Sequence, residues 1–390
     1  MEAYFIDWAN LLLRWLHIIV GIAWIGSSFY FVWLDNHLQA PQDPMLKEKG
    51  VMGELWAVHG GGFYNPQKYL GAPKNLPENL HWFYWESYSS WMSGFALFVV
   101  LYLFNPSIYL IDKKVMELSP ATAIGAALAF LIAGWVVYDA ICRLVGEKSE
   151  LWLALLVSAW VVFAAWLACH VFSGRAAFLL VGAMIATIMS ANVLMLIIPG
   201  QRKIIASIKA GQAPDPIHGK RGKQRSVHNT YFTLPVLFTM LSNHYAMVYQ
   251  APHNWLVLVV LMLAGVLIRQ FFIAKHKGHI QYGWWAAGIA LILAVIFALK
   301  PDATNTPTGS TPNPSFAQVQ SVVERRCVLC HNAQVASKNV QLHTPELLKK
   351  HAQAVYQQAV VLKAMPMANS TNITEAERTL IGAWFKAGAQ

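Results

Sequence analysis

The chain has 390 residues, of which 56% are hydrophobic and 12% are charged. Soluble domains carry about 25% charged residues, so this composition excludes an ordinary soluble protein and indicates an integral membrane protein. In a soluble protein the net charge of +10 would suggest a nucleic-acid partner. In a membrane protein the basic residues are first topology signals, and we predict no nucleic-acid partner.

Eight segments are apolar enough and long enough to cross a hydrocarbon core of roughly 30 Å, which takes about 20 residues. The sequence therefore predicts an all-α fold, with a transmembrane bundle of eight helices in residues 1–299. The predicted spans are Leu11–Trp33, Trp82–Phe104, Ala121–Cys142, Leu151–Val171, Ala176–Ile198, Thr230–Tyr249, Trp255–Ile273 and Gly283–Leu299.

Basic residues cluster between the fifth and sixth predicted helices, in residues 202–225, whereas the connection 250–254 holds none. Because lysine and arginine favour the cytoplasmic side, the cluster is predicted to be cytoplasmic and the short connection to lie outside. Counting the helices from there predicts a multi-pass protein of the bacterial inner membrane, with both termini in the periplasm.

Cys327, Cys330 and His331 form a C-x-x-C-H motif near the C-terminus. Cysteines at this spacing can form thioether bonds to the two vinyl groups of a haem, and the adjacent histidine can bind the iron axially. A zinc knuckle or a redox C-x-x-C would need a second ligand pair or a βαβ context, and the following residues supply neither. The motif therefore predicts a covalent haem c, whose attachment in bacteria is periplasmic.

The motif lies in a predicted cytochrome c-type domain, residues 316–390, behind a Pro/Thr/Asn-rich linker at 300–315. A short amphipathic helix beginning at Phe316 leads into the motif. Thr374 and Glu377 predict a capping box at the start of the last helix.

The sixth haem ligand should be a methionine downstream of the motif, and we predict Met365, in a Met-Pro step before the last helix. Met367 is the alternative, and His343 or His351 would give bis-histidine ligation instead. Methionine ligation raises the reduction potential and suits an electron acceptor.

Ionisable side chains inside membrane helices are costly and mark functional sites. His17 on the first helix and His244 on the sixth fall at similar depth in the outer half, and His170 closes the fourth helix on that side. The functional interpretation is that His17 and His244 ligate a non-covalent haem b, with Gly21 leaving room for the macrocycle, or form a catalytic pocket. The structural alternative is hydrogen bonding across helix interfaces.

The segment 58–70, VHGGGFYNPQKYL, lies on the predicted inner side. Its glycines let the backbone approach a ligand, and His59, Tyr64 and Lys68 could hold a planar heterocycle by stacking and hydrogen bonding. The structural alternative is an ordered interfacial loop in which the glycines only permit turns.

Other polar residues fall within the predicted helices. Glu86 is the predicted acid or base of the second helix, where it shares a face with Ser90 and Ser93. Asp139 on the third helix and Asn192 on the fifth are further buried polar candidates.

Three membrane stretches, VHGGGFYNPQKYL at 58–70, LHWFYWESYSSWMSGF at 80–95 and HNTYFTLPVLFTMLSNHY at 228–245, accompany the C-x-x-C-H motif. Together they resemble the membrane-bound bacterial urate oxidases with a C-terminal cytochrome c domain, over essentially the full length. The resemblance implies oxidation of urate toward 5-hydroxyisourate in purine degradation. It also implies electron transfer through the haem to a periplasmic cytochrome c or a terminal oxidase, and it assigns no catalytic residue in the membrane part.

Two questions stay open at this point. The competing class is a non-catalytic subunit that relays electrons from quinol or a dehydrogenase to cytochrome c. The second question concerns the electron path. If the substrate site is on the inner face, electrons must cross about 30 Å of hydrocarbon to reach a haem outside, and this distance is too long for one tunnelling step. Either a buried centre such as a haem b bridges that gap, or the site lies in the outer half beside His17 and His244.

Overall fold

The computed structural model describes residues 2–69, 73, 76–300, 314–335, 340–361 and 363–390. Helices dominate these ranges, in agreement with the all-α prediction. The α-helices are α1 (Glu2–His37), α2 (Pro44–Glu48), α3 (Trp85–Phe98), α4 (Pro106–Tyr109), α5 (Pro120–Val145), α6 (Glu150–Val171), α7 (Gly174–Ala191), α8 (Ile198–Lys209), α9 (Pro216–Ser242), α10 (Ala246–Tyr249), α11 (Asn254–His276), α12 (Tyr282–Ala298), α13 (Phe316–Arg326), α14 (Pro345–Lys350), α15 (Ala352–Val355) and α16 (Glu375–Lys386).

Other helical turns continue some of these helices. Val99–Leu103 extends α3 as a π-helix, and Asn192–Ile197 joins α7 to α8 in the same way. Tyr356–Val361 is a third π-helical segment, and Met367–Asn369 is a 3₁₀ turn. Such π segments are rare and occur frequently at functional sites.

Two small antiparallel sheets occupy the connection between α1 and α3. One sheet pairs β1 (Val51–Glu54) with β4 (Gln67–Tyr69). The other pairs β2 (Ala57–His59) with β3 (Gly62–Tyr64). Gly60 and Gly61 have φ angles of 59° and 80° in the turn between β2 and β3, a conformation that glycine adopts without steric cost. Gly60 and Gly61 thus form the hairpin turn, and Gly62 begins β3.

Within the described residues, five helices are long and apolar enough to cross a membrane. They are Trp8–His37, Pro120–Val145, Glu150–Val171, Gly174–Lys209 and Asn254–His276, and α12 is apolar but shorter. Length and composition therefore support a membrane protein, while the count of eight spans remains a prediction.

The predicted sixth helix, Thr230–Tyr249, has different ends in the structure. α9 begins at Pro216, where the Asp215 side chain accepts a hydrogen bond from the Ile217 amide at 2.9 Å, because aspartate caps helix N-termini well and proline fits the first turn. It ends at Ser242. The prediction that His244 lies on this helix was therefore wrong, since a turn separates α9 from α10.

Contacts between the connections of the long helices define two ends of the bundle. We call the end that holds α4, residues 243–245 and α10 the upper end, and the end that holds the strands and residues 146–149 the lower end. At the upper end Ser173 Oγ donates to the Tyr109 carbonyl at 2.7 Å. At the lower end Arg221 pairs with Glu147 at 2.7 Å.

Most of the apolar residues buried in the described ranges belong to two clusters, one within residues 98–262 and one within 319–384. In the second cluster, α13 buries Val319, Val322 and Val323, which confirms the predicted amphipathic helix. α16 begins with the predicted capping box of Thr374 and Glu377. Gln250 Nε2 donates to the Lys363 carbonyl at 3.2 Å, so the C-terminal segment lies against the upper end. The predicted linker falls almost wholly in 301–313, outside the described residues.

The contact between α7 and α9 depends on Gly182, and we predict that Gly182→Ala destabilises the bundle. A Cβ atom at this position would lie 2.7 Å from Thr239 Cβ, and overpacking of this kind costs about 1–3 kcal/mol. The thermal unfolding midpoint in detergent should fall. Gly125→Ala in α5 is the matched control, because its Cβ would meet nothing within 4 Å. Equal midpoints for the two variants would contradict the packing.

Candidate functional site

A buried ion pair joins α5 to α9 in the lower half of the bundle. Arg225 Nη2 lies 2.7 Å from Asp139 Oδ1, and Arg143 Nε lies 2.6 Å from Asp139 Oδ2. Arg225 is only 2% exposed and Asp139 only 7%. Removing charges from water is costly unless they are paired, so this carboxylate is held by two guanidinium groups. Asp139 was a predicted polar candidate, whereas Arg225 had been counted only as a cytoplasmic loop residue.

A second set of polar side chains extends this network. The Tyr138 hydroxyl lies 2.7 Å from His228 Nδ1. Asn192 Nδ2 donates to Tyr138 Oη at 3.1 Å and to Asn229 Oδ1 at 3.0 Å. Asn192 begins the π-helical segment between α7 and α8, the kind of irregularity that marks functional sites. The arrangement provides a tyrosine–histidine pair along whose hydrogen bond a proton can move.

Sequence reasoning missed three members of the network: Tyr138, His228 and Asn229. A signal for part of it was present, because Arg225, His228, Asn229 and Phe232 follow the i, i+3, i+4, i+7 spacing of one helix face. That spacing went unused because the first half of α9 was predicted to be a loop.

A cavity of about 60 Å³ opens beside Arg225 at the lower end. Four cations and a single carboxylate belong to its lining, so its electrostatic character favours an anion. The lining residues are Cys142, Arg143, Gly146, Glu147, Leu196, Lys220, Arg221, Gln224 and Arg225.

His17 lies in the crossing of α1 with α3. Its Nδ1 is 3.1 Å from the Ser90 carbonyl oxygen and 3.1 Å from Ser93 Oγ, and Nε2 makes no hydrogen bond within the described residues. Gly94 leaves the space for the ring, since a Cβ there would lie 2.9 Å from His17 Cε1. Histidines that bind metals commonly have one nitrogen fixed by a carbonyl in this way, and the same contacts also satisfy the cross-helix alternative.

His244 and His170 are elsewhere. His244 is largely exposed in the turn after α9. Its pKa is lowered, chiefly because part of the side chain is buried and secondly because of the positive charges of Arg14 and Arg175. His170 is also exposed, and its Nδ1 lies 2.7 Å from the Trp166 carbonyl oxygen. No hydrogen bond or ring contact joins these two histidines or His17 to one another in the described part of the chain.

The residues predicted to bind substrate on the inner side are spread over both sheets. His59 at the end of β2 and Tyr64 on β3 are exposed. Lys68 on β4 pairs with Asp35 at 2.7 Å. The structure adds no support to a site here, because His59 and Tyr64 are exposed and Lys68 is engaged by Asp35.

The predicted acid or base Glu86 lies in the first turn of α3. Its Oε2 atom is buried and has no hydrogen-bond partner among the described residues, whereas Ser90 and Ser93 are buried and contact His17. A buried carboxylate oxygen without a donor is costly. Glu86 therefore remains a candidate for proton transfer.

In the C-x-x-C-H segment, Cys327 is buried and Cys330 is exposed, and the two do not form a disulfide bond. His331 Nδ1 lies 2.9 Å from the Val340 carbonyl oxygen. A hydrogen bond that fixes Nδ1 orients the ring and leaves Nε2 for iron. The donor set and its geometry fit a covalent haem c with His331 as an axial ligand.

The zinc and redox alternatives find less support. Burial raises the pKa of the Cys327 thiol to about 11, whereas reactive C-x-x-C cysteines have a lowered pKa. No group of three His, Cys, Asp or Glu residues that could hold a metal ion occurs in the described ranges, and structural zinc needs four ligands.

Two arginines that the sequence did not single out fix the surroundings of the motif. Arg326, next to Cys327, donates through Nε to Glu377 Oε1 at 3.1 Å. Arg378 is buried and donates through Nη1 to the Met365 carbonyl at 2.8 Å and to the Ala359 carbonyl. Arg378 therefore holds the backbone of the predicted sixth ligand against α16.

These features define a helical protein of membrane type whose interior carries ionisable groups and whose C-terminal segment carries a C-x-x-C-H motif. A family model described as "Urate oxidase N-terminal" matches residues 3–300. The chain therefore belongs to the urate oxidase N-terminal family. The match stops before the C-x-x-C-H segment. No curated protein and no solved structure matches the chain.

Asp139 neutralises Arg225 inside the bundle, and we predict that Asp139→Asn is strongly destabilising. Breaking a buried pair from one side leaves an uncompensated charge and costs about 3–5 kcal/mol. The control is Glu147→Gln, which removes an ion pair about half exposed on each side and should cost at most about 1 kcal/mol. Thermal unfolding in detergent measures both. Similar losses for the two variants would contradict the structural role of Asp139.

Proposed function

We propose that the protein oxidises urate toward 5-hydroxyisourate in purine degradation and passes the electrons through a c-type haem to the respiratory chain. The match of residues 3–300 to the urate oxidase N-terminal family carries this proposal. The C-x-x-C-H segment on the same chain, with its His331 ring fixed by the Val340 carbonyl, supports the electron path.

The overall reaction requires an electron acceptor. Urate and one water give 5-hydroxyisourate, two protons and two electrons, so water supplies the added oxygen. Haem c, when bound, supplies one-electron transfer. We propose that Cys327 and Cys330 hold it by thioether bonds and that His331 and Met365 are its axial ligands. Met367, His343 and His351 remain alternatives for the sixth ligand.

The protons need acceptors in the membrane domain. The Tyr138–His228 pair can take a proton and move it along a 2.7 Å hydrogen bond. Glu86, whose buried Oε2 has no hydrogen-bond partner in the described ranges, is a second acceptor. Catalytic participation of His17 and His244 stays part of the proposal, and the exposed position of His244 favours a role at the surface.

The proposed membrane arrangement is an eight-span domain in the bacterial inner membrane, with the haem domain in the periplasm. The contact of Gln250 with Lys363 supports it, because this contact puts the C-terminal segment at the upper end. The basic residues of α8 and α9 belong to the opposite end, as the distribution of positive charge requires. The electron acceptor would then be a periplasmic cytochrome c or a terminal oxidase.

The decisive experiment is an absorption spectrum of the purified full-length protein with urate as the sole reductant. We expect a pyridine haemochrome of the c type, and reduction of that haem by urate under anaerobic conditions. Cys330→Ser should lose the covalent haem and the transfer of electrons to an added cytochrome c.

Two outcomes would overturn the proposal. A c-type haem that urate leaves oxidised, but quinol reduces, would favour the relay function. Retained coupling to the added cytochrome c in Cys330→Ser protein that carries no covalent haem would show that the electron path does not use this haem.

A non-covalent haem b would bridge the membrane, and we propose His17 as one of its ligands. His17→Ala should then remove a b-type absorption band and slow urate-driven reduction of haem c at least tenfold, about 1.4 kcal/mol in the barrier. His170→Ala is the control, because this exposed residue makes only a local contact with Trp166. A b-type band that survives in His17→Ala would exclude His17 as a required ligand.

A further inference from the structure

We infer that the anionic edge of the substrate binds at the lower end of the bundle, in the cavity beside Arg225, with Arg225 and Gln224 as the residues that recognise it. This inference rests on the proposed function, because it takes the ligand to be a planar oxopurine anion. It assigns a location that the family match leaves open.

Arg225 has donors that nothing in the described structure uses. Its Nη2 donates to Asp139, whereas Nε and Nη1 are buried without a hydrogen-bond partner among the described residues. The guanidinium is planar and rigid, and its Nε–H and Nη1–H groups point to different sides, so each can donate to a separate acceptor. Leaving buried N–H groups unmatched is unfavourable, so the site is suited to a ligand that offers such acceptors.

Gln224 supplies a hydrogen-bond acceptor at the same cavity. Its Nε2 donates to the Gly146 carbonyl at 2.7 Å, and this bond fixes the amide and leaves Oε1 as an acceptor. Arg225 donors and the Gln224 acceptor together complement an edge that carries both acceptors and an N–H. Urate has such edges, since ring N–H groups alternate with carbonyl oxygens and it carries a single negative charge near neutral pH.

The charge of the lining agrees with an anion. Arg143, Lys220, Arg221 and Arg225 face the cavity against Glu147, and Asp139 already compensates one of these cations. A cavity of about 60 Å³ receives the edge of a ring and not a large ligand. The exposed Lys220 and Arg221 form its rim, where they attract an anion from the aqueous phase.

Arg269 on α11 is the competing position. It is 5% exposed, and its Nε and Nη2 also lack partners within the described residues. Its guanidinium lies 4.0 Å from the centre of the Phe29 ring, and this close cation–π contact offsets part of its desolvation. Arg225 lies further from an aromatic ring, 4.9 Å from Tyr138, and it lines a cavity, so we assign the site to Arg225.

The test is equilibrium dialysis of radiolabelled urate against the full-length protein in detergent, with KM measured in parallel by cytochrome c reduction. Arg225→Lys retains the charge beside Asp139 and loses the Nε and Nη1 donors, so urate affinity should fall at least tenfold. Gln224→Leu should weaken binding several-fold. Arg202→Lys, the same change at an exposed lower-end residue outside the cavity lining, should leave affinity and KM unchanged.

Each result decides a different point. Wild-type affinity in both Arg225→Lys and Gln224→Leu would overturn the assignment, and loss of binding only in Arg269→Gln would move the site to α11. If Arg225→Lys does not fold, as judged by its haem spectrum and thermal midpoint, Gln224→Leu alone decides. A wild-type protein that neither binds urate nor is reduced by it would instead refute the proposed function.

Discussion

The interaction on which the membrane domain most depends is the buried pair of Arg225 with Asp139. Two opposite charges taken out of water are stable only when each is paired and hydrogen-bonded, and here a second guanidinium, that of Arg143, shares the carboxylate. The pair fixes the lower part of α9 against α5. That alignment also brings Tyr138 to His228. The same contacts therefore maintain the fold and assemble the polar network.

The parts of the fold that the sequence predicted well are those that obey local rules. The capping box of Thr374 with Glu377 and the amphipathic helix from Phe316 depend on residues three or four positions apart. The start of α9 was missed although Asp215-Pro216 is a good N-terminal signal. The start of α9 lies among basic residues that the topology prediction places in a loop. Counting charges gives the predicted side of the membrane but does not show whether a charged residue is helical.

The candidate site was predictable only where a costly polar residue fell inside a predicted membrane helix, and Arg225, in a predicted loop, was missed. Asp139 and Asn192 were found because buried polar groups there require a reason. The suggested pairing of His17 with His244 rested on depth alone, and depth does not specify the direction in which a side chain leaves its helix. His17 faces Ser90 on α3, and His244 lies beyond the end of α9. Whether two side chains on different helices meet depends on how each helix is rotated about its own axis, and residue spacing along one helix does not determine that rotation.

The position inferred for the substrate restricts the electron route. Arg225 lies 17 residues before Ser242, the upper end of α9, which corresponds to about 25 Å at 1.5 Å per residue. The C-terminal segment contacts the upper end through Lys363, so the proposed haem c belongs to a segment at the opposite end of the bundle from Arg225. One tunnelling step does not cover such a distance. The proposed lower-end substrate site therefore goes together with the proposed intermediate redox centre. We propose His17 to hold it, because its Nδ1 is fixed by Ser90 and Ser93 and its Nε2 makes no hydrogen bond within the described residues.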